Sequence, residues 1–132
     1  MAGRLRTARW GLLLVVAIAL TCCGEDMRRD PRRFSFEYFD SLPRNEIVSA
    51  AQAYLDRRFP VGSDLHAVKS ELISAGAKCG RGIGQRGVYC ECDYEKRGPW
   101  PLSTLEWKII LRPDQDEKAI VKIEVNRGVT GL

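Results

Sequence analysis

At Gly76 the apolar pattern of this chain changes period, and no other feature restricts its fold as much. Before that residue, from Pro43 to Phe59, Ile47, Ala50, Ala51, Tyr54 and Leu55 recur at intervals of three and four, the spacing of one buried helix face. Pro60 ends that helix because its ring cannot continue the turn. The next stretch, PVGSDLHAVKSELISAGAKC, predicts a second helix. Ser63 is placed to cap it, Asp64 suits its positive end, and Gly76 can take the left-handed conformation that terminates it. Leu65, Val68, Leu72 and Ala75 form its inner stripe. After Gly76 the apolar residues alternate instead, as they do when side chains point to opposite faces of a strand. Val88, Cys90, Cys92 and Tyr94 share one face of a first strand; Leu105, Trp107, Ile109 and Leu111 share one of a second; Val121, Ile123 and Val125 share one of a third. Their outward neighbours Glu91, Asp93, Glu106, Lys108, Lys122 and Glu124 are mixed in sign, which suits the solvated face of an antiparallel sheet. RPDQDEK reads as a hairpin, EKRGPWPLS as a looser connection with Trp100 between prolines, and CGRGIGQRG as a loop. Residues 43–132 are therefore expected to form an α+β domain, two N-terminal helices followed by a three-stranded antiparallel meander.

The other end of the chain reads as an address. Arg4, Arg6 and Arg9 make a basic start without an acid, and Trp10 to Leu20 is an unbroken apolar run that stops at Cys22 and Cys23. That is the layout of a signal peptide. The run is shorter than the ~20 residues a helix needs to cross the hydrocarbon core. LTCCG is similar to the lipobox of bacterial lipoproteins, with Cys22 standing where Gly or Ala is usual. The resemblance implies that residues 1–22 are removed and that Cys23 carries a diacylglyceryl thioether and an N-acyl chain such as palmitate. The alternative is an ordinary secretory signal with two incidental cysteines. Each buried methylene of such chains contributes about 0.8 kcal/mol, so several chains anchor where one would not. Gly24 follows in place of the Asp that favours inner-membrane retention in that family, which implies a cell-envelope location on the outer membrane, facing the periplasm.

Loss of residues 1–22 removes three arginines and no acid, so the formal net charge falls from +4 to +1. No uniform basic field is left for nucleic acid, and that class of partner is excluded. The remaining 110 residues suffice for one small core. Residues 23–42 are read as a lipid-anchored tether that begins with charged GEDMRRDPRR. Within it FSFEYFDSL places Phe34, Phe36 and Tyr38 on alternate residues, a strand-like spacing that Phe39 breaks. Four aromatic rings in six residues are costly to leave in water, so docking onto the domain's own core is favoured over an exposed patch.

The chemistry-bearing residues are few. The single histidine, His66, sits in the first turn of a predicted helix, and neither HExxH nor GxSxG occurs. Cys79, Cys90 and Cys92 form the one reactive-looking set. In an exported protein the default is a disulfide from the end of the second helix to the first strand, contributing about 3 kcal/mol, with the odd cysteine a buried thiol. Residues two apart on a strand face the same side, so geometry leaves open whether Cys90 or Cys92 is the partner. Zinc would need all three cysteines and His66, but C-x-C on a strand lacks the turn that usually presents such ligands. A redox enzyme would want C-x-x-C at a helix start to lower a thiolate pKa. No catalytic residue, metal or cofactor is expected.

Two helices followed by a meander resemble the small envelope lipoproteins of the SmpA/OmlA type, over roughly Pro43 to Val125. The segments FPVGSDLHAVKSELISAGAKC, CDYEK and GVTGL resemble an uncharacterised group of bacterial lipoproteins. The second resemblance implies a Cys79–Cys92 disulfide, because CDY matches the lone cysteine of that group and Cys90 is the extra one. The expected function is that of a lipid-anchored, non-catalytic envelope domain that binds another protein. A thiol-redox enzyme or thiol-dependent envelope factor is the alternative.

Overall fold

The computed structural model describes residues 32–131. The expected signal peptide and the lipidation site Cys23 lie outside the described residues. Among the described residues the protein is α+β, with three helices and four strands. In chain order they are α1 (Phe36–Asp40), α2 (Ile47–Arg58), α3 (Leu65–Ser74), β1 (Lys78–Gly84), β2 (Gly87–Arg97), β3 (Thr104–Pro113) and β4 (Ile120–Thr130). The strands pair antiparallel in the order β1-β2-β3-β4, so β1 and β4 are the edges. All helices pack on one face; α2 lies against β4, and α3 against β1 and β2. No described helix is long and apolar enough to cross a membrane.

The helical stripes land as their spacing predicts: Ile47, Ala51 and Leu55 of α2 and Val68 and Leu72 of α3 are buried. Gly76 has φ +105°, and the Ala77 N–H donates to the Leu72 carbonyl at 3.0 Å, closing the end of α3. The cap at the other end is Asp64 rather than Ser63. The Asp64 carboxylate accepts from the His66 N–H at 3.1 Å, while the Ser63 hydroxyl donates to the Pro60 carbonyl in the preceding turn. Tertiary pairing explains the shift, because the Ser63 carbonyl accepts from Ile120 N and Asp64 bridges to Ala119, which fixes that segment as extended chain.

Two larger corrections concern segments without a strong apolar period. CGRGIGQRG is not a loop but carries β1 and its tight connection to β2, making the meander four-stranded. Only two of the seven β1 residues are even half-buried, so the strand is held by its ladder with β2 rather than by its own apolar face. Tyr89 lies flat over Gly82, where an added Cβ would come within 2.5 Å of the ring. The aromatic ring covers what the glycine leaves bare.

FSFEYFDSL is the helix α1 rather than extended chain. Ser35 caps it by accepting from the Tyr38 N–H at 3.3 Å, and Phe36 and Phe39, three apart, both turn inward. Phe36 stacks on Tyr94 at 4.2 Å between ring centroids and meets Trp107 edge-on at 5.6 Å. The aromatic cluster thus docks on the domain's own core, and the folded unit includes Phe34 to Asp40, ahead of Pro43.

Carboxylates pin this segment at both ends. Glu71 of α3 accepts from the Phe34 N–H at 3.0 Å and from Arg58 Nε at 3.3 Å, and lies 3.1 Å from the Tyr54 hydroxyl. Asp40 Oδ1 accepts from Trp107 Nε1 at 3.1 Å and from Arg127 Nε at 2.8 Å, and Lys96 Nζ lies 2.6 Å from Oδ2.

Candidate functional site

The three cysteines come together on the helix-facing side of β1 and β2. Register places Cys79 directly opposite Cys92, and Cys90 opposite Arg81. Cys79 and Cys92 form a disulfide with 2.00 Å between sulfurs. The alternating pattern alone could not choose the partner; the β1–β2 register does. Cys90 is free and buried, and its sulfur and those of the bridge all lie within 4.8 Å of one another. Burial pushes the Cys90 thiol up, outweighing the pull of Lys69 in the other direction. A thiol needs its thiolate to attack, so this environment suppresses reaction. His66 is exposed at the start of α3 and is not part of the sulfur cluster.

The expected chemical behaviour follows. Alkylation of the native protein should leave Cys90 unmodified. Unfolding without reductant should release one thiol from Cys79, Cys90 and Cys92, and reductant the other two. Cys92→Ser should cost about 3 kcal/mol, as expected for opening a short loop closed across a separation of 13 residues. Non-reducing peptide mapping checks the pairing, and a Cys79–Cys90 peptide would contradict it.

A second feature lies between α2 and the free edge of β4, where a groove of about 850 Å³ is open to solvent. The sequence does not advertise it, because one wall is backbone. Gln52 reaches across from α2, donating from Nε2 to the Ile123 carbonyl at 2.9 Å and accepting at Oε1 from the Val125 N–H at 3.0 Å. Its amide occupies the edge as a neighbouring strand would, at one position. Beside it Val61 is exposed at 78%, and so is Val121 at 51%, which corrects its expected place on the inward face with Ile123 and Val125: the β3–β4 register shifts between Arg112 and Pro113, and Ile120 is buried in its stead. The carboxylates of the groove are engaged: Asp56 accepts from Gln52 at 3.1 Å, and Glu124 lies 2.8 Å from Lys122 and 3.1 Å from Arg112. The Lys122 contact leads in holding the Glu124 carboxyl below its usual range. An acid so stabilised as its anion is poorly suited to proton transfer near neutral pH. What the groove offers is a strand edge, two valines and fixed charges.

The outer face of the sheet bears the mixed charges its alternation predicts. Lys108 sits between Glu91, at 3.3 Å, and Glu106, at 3.9 Å. Such exposed pairs contribute little stability. No family model, curated protein or solved structure matches this chain.

Proposed function

We propose that the chain is a lipid-anchored protein of the cell envelope, held on the outer membrane and facing the periplasm, whose domain binds another protein without catalysing a reaction. The anchoring part rests on the LTCCG stretch and the apolar run before it. The binding part rests on one observation, the groove between α2 and the edge of β4 with Val61 and Val121 exposed in it, an edge met by Gly62 and Ser63 at Ile120 and by the Gln52 amide at Ile123 and Val125. Extended peptides add to such edges through main-chain hydrogen bonds, and the adjoining groove selects their side chains. The sulfur cluster is the observation behind a thiol-redox reading, but a buried thiol with a raised pKa favours a structural disulfide beside an inert cysteine.

A single experiment with two arms tests this reading. A photo-crosslinking amino acid at Val121 should give a discrete adduct in intact membranes, whereas the same group at Glu95, on the outer sheet face, should not. Metabolic labelling with a fatty acid should mark the parent and the Cys22→Ala protein but not Cys23→Ala. Identical adducts at both positions would remove the groove assignment, and equal label in Cys23→Ala would remove the anchor.

A further inference from the structure

The connection between β2 and β3 is built to hold apolar side chains in water. From Lys96 to Leu105 it carries two cations and no acid, and Gly98 to Thr104 contains no ionisable group. Trp100 stands between Pro99 and Pro101 and is 58% exposed; Leu102 is 86% exposed. A flexible apolar loop would fold back onto the domain, and this one is prevented from doing so. The buried Ser103 hydroxyl donates to the Trp100 carbonyl at 2.6 Å and accepts from the Trp100 N–H at 3.0 Å. The Gly98 N–H donates to the Ser103 carbonyl at 2.8 Å, and the Ser103 N–H to the Trp100 carbonyl at 3.1 Å.

Leu102 is also held at φ +61°, a left-handed conformation that is uncommon for a leucine. No burial of its side chain offsets that cost. Strained backbone that the surroundings over-determine clusters where a protein meets a ligand. The apolar side chains stand out from a turn between two strands, with Arg97 exposed behind them. Indoles settle at the headgroup level of a bilayer, and the exposed Arg97 at the base of the turn suits anionic lipid, whereas Lys96 is held by Asp40 at 2.6 Å.

We infer that the tip formed by Pro99, Trp100, Pro101 and Leu102 inserts into the phospholipid interface of the membrane that carries the anchor. The inference rests on the anchored reading above. From Cys23 to Phe34 the chain spans at most about 40 Å, which keeps a small domain within reach of the bilayer surface. Anchor and tip together make a two-point attachment that limits how the domain can turn, and so which way the β4 groove faces.

The experiment uses the lipidated chain purified from membranes, which after loss of residues 1–22 keeps Trp100 and Trp107 as its two indoles. It is reconstituted in vesicles of phosphatidylcholine and phosphatidylglycerol brominated near the headgroup end of the acyl chains. Flotation reports attachment, and the difference between this protein and its Trp100→Phe derivative isolates the tip. The Trp100 signal should lose most of its intensity to the brominated lipid and resist iodide in the water. Leu102→Glu should abolish that quenching with an unchanged melting temperature. Leu102→Gly relieves the left-handed backbone; it should melt no lower than the parent yet be quenched less, as a merely structural loop would not. A protein that floats while Trp100 stays open to iodide and unquenched by bromine overturns the tip. A protein that does not float overturns the anchor, and the tip with it.

Discussion

Replacing Trp107 by Ala is expected to destabilise the domain by about 3–5 kcal/mol. Trp107 lies in β3 with no exposed surface, edge-on to Phe36 and with the Arg127 guanidinium 5.7 Å from its ring centre. Truncation removes the largest fully buried side chain, leaves a cavity beneath α1, and takes from Asp40 one of its donors. Domains of this size hold roughly 5–15 kcal/mol in total, so the change consumes much of that margin. Thermal melting should fall by more than about 12 °C, at roughly 4–8 °C per kcal/mol. A midpoint within a few degrees of the parent would mean that Trp107 is not core.

Asp40→Ala is expected to cost about as much, about 3–5 kcal/mol, for a different reason. The Asp40 side chain is 7% exposed and the Arg127 side chain 15%, so removal of the carboxylate strands a guanidinium and the indole N–H away from water. It also frees the end of α1 from the sheet. Asp40→Asn keeps an acceptor but loses the charge, and should cost less, about 1–3 kcal/mol. Urea titrations of Asp40→Ala, Arg127→Leu and the double variant separate the terms. If the carboxylate and guanidinium form one buried unit, the double variant is less unstable than the sum of the singles. Strict additivity would show that the contact adds nothing to the fold.

How far the fold is legible in the sequence depends on what each segment buries. Leu72 and Trp107 announce their elements because each belongs to a stripe repeated along one helix face or one strand face, and a stripe is local information. The α1 segment contains a stripe too short to decide its period: Phe34, Phe36 and Tyr38 suggest a strand, whereas Phe36 and Phe39 follow a helix turn. Only the Ser35 cap and the pocket formed by Tyr94 and Trp107 settle it. β1 has no stripe at all. Its glycines read as loop because the strand's partner, β2, supplies both the ladder and the ring that covers Gly82.

The same distinction runs through the candidate sites. The exposed Trp100 between prolines is visible in the sequence as an oddity, but its rigidity depends on Ser103 folding back on it. The groove beside β4 leaves no mark in the sequence, since its main feature is backbone and its edge is met by Gly62 and Ser63 at Ile120 and by Gln52, more than seventy positions away, at Ile123 and Val125.

By itself the sequence determined the two long helices, the inward faces of β2 and β3, Ile123 and Val125 but not Val121 on that of β4, the burial of the aromatic segment and the membership of Cys79, Cys90 and Cys92 in one sulfur set. Periodicity records which side of an element avoids water, and that preference is written into neighbouring residues. The tertiary structure alone decided the fourth strand, the choice of Cys92 over Cys90, and the pinning of α1 by Glu71 and Asp40. Each of these is a pairing between segments, local for the β1–β2 hairpin and its bridge 13 positions across, and distant for Asp40, 67 positions from Trp107 and 87 from Arg127. Such pairings follow from strand register and helix placement, which no local run of side chains encodes.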